Sequence, residues 1–102
     1  MLSERTADTF LDTIITKAVI TLMLTFDNAE RMENLSLAIG YYRKKKGYSQ
    51  EKMAELLGIS RQHLASIEAP GMDRGLSFEL FFNISTVLEI EPYLLLKFKV
   101  EK

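Results

Sequence analysis

Between Thr6 and Asn28, Leu11, Ile14, Ile15, Ala18, Val19, Leu22, Met23 and Phe26 recur at three- and four-residue intervals. That spacing puts side chains on one face of an α-helix. Ile20 and Leu24 lie off the stripe, so the helix is apolar over more than half of its circumference and needs a covering surface. Its threonines, isoleucines and valine also suit a strand, which stays open as an alternative here. A second helical pattern, Leu35, Ala38, Ile39 and Tyr42, runs from about Glu33 to Lys46. Further on, Leu80, Phe81, Ile84, Val87 and Leu88 mark another apolar helix face, and Tyr93-Leu94-Leu95-Leu96 a short last one.

The polar residues between these blocks read as helix punctuation. Arg43-Lys44-Lys45-Lys46 places positive charge at the negative end of a helix dipole, and Gly47 follows as a stop. Ser49 is expected to cap a helix Gln50 to Leu57, which Gly58 ends; Ser60 caps the next, Arg61 to Glu68. Ala69-Pro70-Gly71 through Gly75 reads as a loop, and Ser77 caps the helix that follows. Pro92 fits a first helical position. The expected fold class is all-α, a five-helix domain over 32–102 with an extra N-terminal hydrophobic helix in 1–31.

Three readings of that N-terminal segment stay open. It is an additional core helix on its own domain, a dimerisation element through Leu11, Ile15, Val19, Leu22 and Phe26, or an extension without function, since Met32 opens what reads as a complete module. The stretch Phe10–Phe26 is shorter than the roughly 20 apolar residues of a membrane span, and Asp12 and Lys17 interrupt it. Glu4 and Asp8 in place of a basic start, with no small-residue cleavage site, give no targeting segment. No membrane is expected.

The chain has no cysteine, which removes disulfide frameworks and thiolate metal sites. Its net charge is −1, but residues 1–31 carry −2, residues 32–75 carry +2 and the tail from Leu76 carries −1. A mildly basic middle permits nucleic-acid binding, because steering depends on the local patch. His63 and Ser66 stand three apart, yet no third orienting group or oxyanion site accompanies them. A single histidine without spaced partners makes no metal site. Neither an enzyme, a metal nor a cofactor is expected.

The spacing between Gln50 and Glu68 carries more. Counting from Gln50, Met53 and Ala54 are fourth and fifth, Leu57, Gly58 and Ile59 eighth to tenth, Leu64 and Ile67 fifteenth and eighteenth. Two helices crossing steeply need a small residue at the close approach, which Ala54 supplies. The turn needs a positive φ, which Gly58 takes without penalty. The apolar members fill the wedge between the helices and the core.

The run Ser49-Gln50-Glu51-Lys52-Met53-Ala54-Glu55-Leu56-Leu57-Gly58-Ile59-Ser60-Arg61 resembles the phage repressor and Cro-like (Xre-type) helix-turn-helix regulators. The resemblance extends over Leu35–Phe98 and leaves residues 1–31 outside. It implies a prokaryotic or phage origin, a cytoplasmic location, and a second motif helix that enters the DNA major groove from a symmetric homodimer. It further implies base contacts from Arg61, Gln62, Ala65 and Ser66. Arginine pairs with guanine and glutamine with adenine, and an alanine can meet a thymine methyl. Phosphate contacts fall to Ser49, Gln50, His63 and Arg74, and Arg43 with Glu68 match a structural ion pair. Two departures concern backbone affinity. Ala69-Pro70-Gly71 replaces the family's frequent Asn-Gly, and Leu76 replaces a frequent proline.

The function expected is a sequence-specific, double-stranded-DNA-binding transcriptional regulator, a repressor acting as a dimer. The alternative is a protein-interaction module, an antitoxin or bridging factor, with a protein partner on another face of the same fold.

Overall fold

The computed structural model describes residues 2–71 and 76–100, with side chains from Thr9 onward except those of Phe26 and Asp27. Five α-helices follow in order: α1 (Leu2–Lys46), α2 (Gln50–Leu57), α3 (Arg61–Glu68), α4 (Phe78–Leu88) and α5 (Pro92–Lys97). No strand occurs among the described residues, so the strand alternative for the first segment is set aside.

The expected break between an extension and the first domain helix is not there. α1 is one helix of 45 residues, and the molecule's longest dimension is 68 Å. At about 1.5 Å per residue a helix of this length accounts for nearly all of that dimension. The reason lies in the joining residues. Asp27, Asn28 and Asn34 can cap a helix, but Ala29, Glu30, Arg31, Met32 and Glu33 between them are good helix formers. With no glycine or proline before Gly40, nothing forces an exit. Arg31 Nη1 instead donates to Asn28 Oδ1 at 3.5 Å, one turn back along the same helix.

Only the last part of α1 enters the core. Ser36, Ala38, Ile39 and Arg43 are buried, whereas every side chain described from Thr9 to Arg31 is exposed. The segment is therefore not an extra core helix on its own domain. The described residues hold one helix long and apolar enough to cross a membrane by length and composition, and this is it.

The core joins Ile39, Met53, Leu64, Ile84 and Leu95, one from each helix, all fully buried. Three helix ends close alike, each with an apolar residue folding back after the cap. Gly47, Gly58 and Glu89 take positive φ of 86°, 71° and 56°, and each donates its N–H into the preceding turn. Tyr48, Ile59 and Ile90 then donate to the carbonyls of Arg43, Ala54 and Ser85, and all three pack against the core. Helix starts follow the serines. Ser49, Ser60 and Ser77 accept from the N–H groups of Lys52, His63 and Leu80 at 3.0–3.1 Å.

Candidate nucleic-acid interface

α2 and α3 are set against each other by the residues the spacing singled out. Met53, Ala54, Leu64 and Ile67 are buried, and Leu57 and Ile59 pack partly buried against them. Ala54 is 2 % exposed, so a larger side chain there would push the two helices apart. Gly58 takes the left-handed turn, with nothing within 4 Å of the position a Cβ would occupy. Its requirement is therefore backbone conformation rather than space.

This packing turns one face of α3 to solvent. Arg61, Gln62 and His63 are exposed, and Ala65 and Ser66 are half-buried one turn further on. The Ser66 hydroxyl donates to the His63 carbonyl at 2.7 Å, which leaves its oxygen to accept. Exposed side chains at the first turn of a helix project beyond its end, as groove reading requires. Arg61, Gln62, Ala65 and Ser66 share one side of the helix, with His63 beside them.

Behind this face lies a cross-link between three helices. The Arg43 guanidinium meets the Glu68 carboxylate twice, Nε to Oε2 at 2.8 Å and Nη2 to Oε1 at 3.0 Å. Its Nη1 donates to the Tyr48 carbonyl at 2.7 Å, immediately before the α2 cap. Both side chains are only 8 % exposed. Such two-pronged geometry is the strong form of an arginine–carboxylate pair. Gln50 Nε2 donates to Glu68 Oε1 at 3.3 Å, so the pair also holds the first side chain of α2. Gly40 leaves room for this hub, since a Cβ there would approach Glu68 Oε1 to 3.3 Å.

The structure thus places the sequence-derived residues in two groups. Arg61, Gln62, His63, Ala65 and Ser66 share the α3 surface; Ser49 and Gln50 stand at the start of α2, tied to it through the hub. The Ser49 hydroxyl is engaged as a cap, and Gln50 is half-buried with one amide hydrogen committed to Glu68. Arg74 lies outside the described residues, as does the side chain of Phe26. Spacing alone did not reveal the Gln50–Glu68 bond, because it joins residues 18 apart through their rotamers. A second surface also went unremarked. Phe78 and Phe82 on α4 and Tyr93 and Leu96 on α5 are exposed. The sequence signal was there, since 78 and 82 are one turn apart and off the Phe81, Ile84, Leu88 stripe.

Outside the hub, among the described residues, one charged pair joins α1 to the end of α4, Lys46 with Glu89. The hydrogen bond from Lys46, followed by its charge, holds the Glu89 carboxyl below the ordinary carboxylate value. The same hydrogen bond raises the Lys46 ammonium.

Comparison with known proteins agrees with this arrangement. Residues 39–95 match a family model described as helix-turn-helix. The HTH-type transcriptional regulators SinR of Bacillus licheniformis and of Bacillus subtilis (strain 168) are each 36 % identical over 63 residues. Those residues are 62 % of this chain and 56 % of either regulator, so the match spans little more than half the length of these relatives. Among solved structures, the restriction-modification controller protein C.AhdI from Aeromonas hydrophila superposes with a TM-score of 0.57 and 31 % identity. That likeness covers 63 % of this chain and 94 % of the controller protein. The unpacked part of α1 precedes the residues that the family model matches, which begin at Ile39 in the buried stretch of that helix. With motif, packing and relatives in agreement, the chain belongs to the Cro-like, Xre-type helix-turn-helix family.

Proposed function

We propose that the protein is a sequence-specific DNA-binding transcriptional regulator that reads the major groove of double-stranded DNA with the start of α3. The observation that carries this is the solvent-facing side formed by exposed Arg61 and Gln62 with half-buried Ala65 and Ser66, on a helix whose opposite side, Leu64 and Ile67, is buried in the core. A rigid helix with free hydrogen-bonding groups at its N-terminal turn is what base-edge reading demands. Gln50, Ser49 and His63 flank that surface and supply phosphate contacts that fix its register. The roles of the relatives, two transcriptional regulators and a restriction-modification controller, point the same way. Acting on DNA, the protein works in the cytoplasm, as a repressor. Two copies on a palindromic operator exclude other proteins by occupancy.

Selection from a random pool of duplex DNA at physiological salt tests this. Enrichment of a palindrome with half-sites about one helical turn apart is the expected result. Failure of folded protein to enrich any sequence would overturn the reading. Variants then divide the roles: Gln62→Ala should relax preference at one base position, and Gln50→Ala should weaken all sequences alike. Equal, sequence-independent losses from both would refute the division.

The exposed apolar length of α1 favours a second reading, in which the fold acts as a protein-interaction module. Salt dependence separates the two. Phosphate contacts make affinity fall steeply as salt rises, and an apolar protein interface does not.

A further inference from the structure

The unpacked part of α1 carries the longest run of exposed apolar side chains among the described residues. Phe10, Leu11, Ile14, Ile15, Val19 and Leu22 are each about half exposed or more, reaching 71 % at Leu22. A monomer would keep this whole length in water, an exposed patch of the kind that marks an interaction site. Its polar groups are not spread evenly. At about 100° per residue, Ile14, Ala18, Leu11, Leu22, Ile15 and Val19 fall within an arc of roughly 140°. Asp12, Lys17, Thr9, Thr13, Thr16 and Thr21 fall outside that arc, and Thr25, at the next seam position, closes its apolar run. Within it, Leu11, Ile15, Ala18 and Leu22 alternate at four, three and four residues, the spacing of a coiled-coil seam.

We propose that this segment pairs with the same segment of a second copy, in parallel, along Leu11, Ile15, Ala18 and Leu22. Charge placement selects a second copy over a lipid bilayer. Pairing on the arc leaves Asp12 and Lys17 in water, whereas a bilayer would surround the helix and take in both, with Lys17 near the middle of the apolar run. Phe10, Ile20, Met23 and Leu24 stay outside the two-chain seam, interleaved with the threonines.

Direction follows from the length of α1. From Lys17 to Arg43 the helix rises about 39 Å. Antiparallel pairing centred near Lys17 would hold the two Arg43 hubs roughly twice that distance apart. Half-sites in successive major grooves lie about 34–36 Å apart. Parallel pairing puts both α3 helices at the same end of the paired segments and makes that spacing attainable. The direction rests on the DNA reading proposed above; the pairing does not.

The natural chain has no cysteine, so single cysteines report the seam directly. Leu22→Cys in the full chain is expected to form a disulfide-linked dimer under mild oxidation, and Lys17→Cys, behind the seam, is not. Sedimentation equilibrium of the unmodified chain is expected to give a dimer, and Ile15→Glu with Leu22→Glu a folded monomer by circular dichroism. A monomeric parent chain, a tetramer, or a dimer untouched by the double glutamate variant would overturn the proposal. So would flotation of the chain with vesicles of phosphatidylethanolamine and phosphatidylglycerol. Cross-linking of Leu22→Cys only when mixed with Leu11→Cys would overturn the parallel direction. A cross-linked parallel dimer that selects no DNA sequence would instead refute the DNA reading and leave the seam standing.

Discussion

Replacing Arg43 by methionine is expected to be far more damaging than removing Arg43 and Glu68 together. Both side chains are 8 % exposed, and their carboxylate–guanidinium contact carries two hydrogen bonds. Arg43→Met leaves a carboxylate buried with only the Gln50 amide, and frees the Tyr48 carbonyl from its partner. Breaking a buried pair from one side costs about 3–5 kcal/mol. Domains keep about 0.05–0.15 kcal/mol per residue, so about 70 residues hold roughly 4–10 kcal/mol. The single variant should therefore lose between a third and all of the stability. Arg43→Met with Glu68→Leu buries no charge and loses only the ties to Tyr48 and Gln50, at about 1–3 kcal/mol. The double variant should thus be the more stable. Urea unfolding followed by circular dichroism measures all of them, provided the slope stays constant. A cost below about 1 kcal/mol for Arg43→Met would place the pair among solvent-screened surface bridges. That outcome, or a double variant as unstable as the summed singles, refutes the account.

Other expectations follow from single features. Gly58→Ala should cost about 1–2 kcal/mol, all of it from the left-handed backbone, because no atom lies near its Cβ position; a neutral result in urea would contradict this. Glu89→Gln should change stability with pH in one direction. A carboxyl held below its ordinary value of 4.5 stabilises the fold above that pH and stops doing so as pH falls through the lower folded value. The difference between the parent and Glu89→Gln melts should be constant near neutrality and close in acid; a gap that widens in acid would be inconsistent with the pair. Raising salt should shrink the same difference, since the pair is exposed. Glu89→Gly should raise the melting temperature by relieving positive φ at a side-chain-bearing residue, and a fall would mean that the Lys46 contact outweighs the backbone.

What the sequence disclosed depended on how local the physics was. Serine caps and glycine stops are decided within four residues, and Ser49, Ser60, Ser77, Gly47 and Gly58 were all readable in advance. The helix-turn-helix core was readable because Met53, Ala54, Gly58, Leu64 and Ile67 each meet a steric demand at a fixed spacing. The break expected near Asn28 failed because aspartate and asparagine serve as caps or as tolerated interior residues, and only the context decides. Periodicity showed that Leu11 to Leu22 has an apolar face but not what covers it, and the structure shows that its own domain does not. Pairing of Arg43 with Glu68 came from resemblance rather than spacing. The link from Glu68 to Gln50 needed coordinates, since it depends on how two side chains turn across a helix crossing.

The continuity of α1 has a mechanical consequence. Ile39 is fully buried in the core, and Leu22 belongs to the same unbroken helix, so the bearing of one determines the bearing of the other. A flexible linker would absorb an added residue. Here one residue inserted between Asp27 and Glu33 would swing the apolar stripe by about 100° and lift it by about 1.5 Å. Four would bring it back to within about 40° of its starting direction. The exposed middle of α1 is a rigid shaft: adding or removing residues turns the apolar stripe relative to the core, whereas exchanging one helix-forming side chain for another does not.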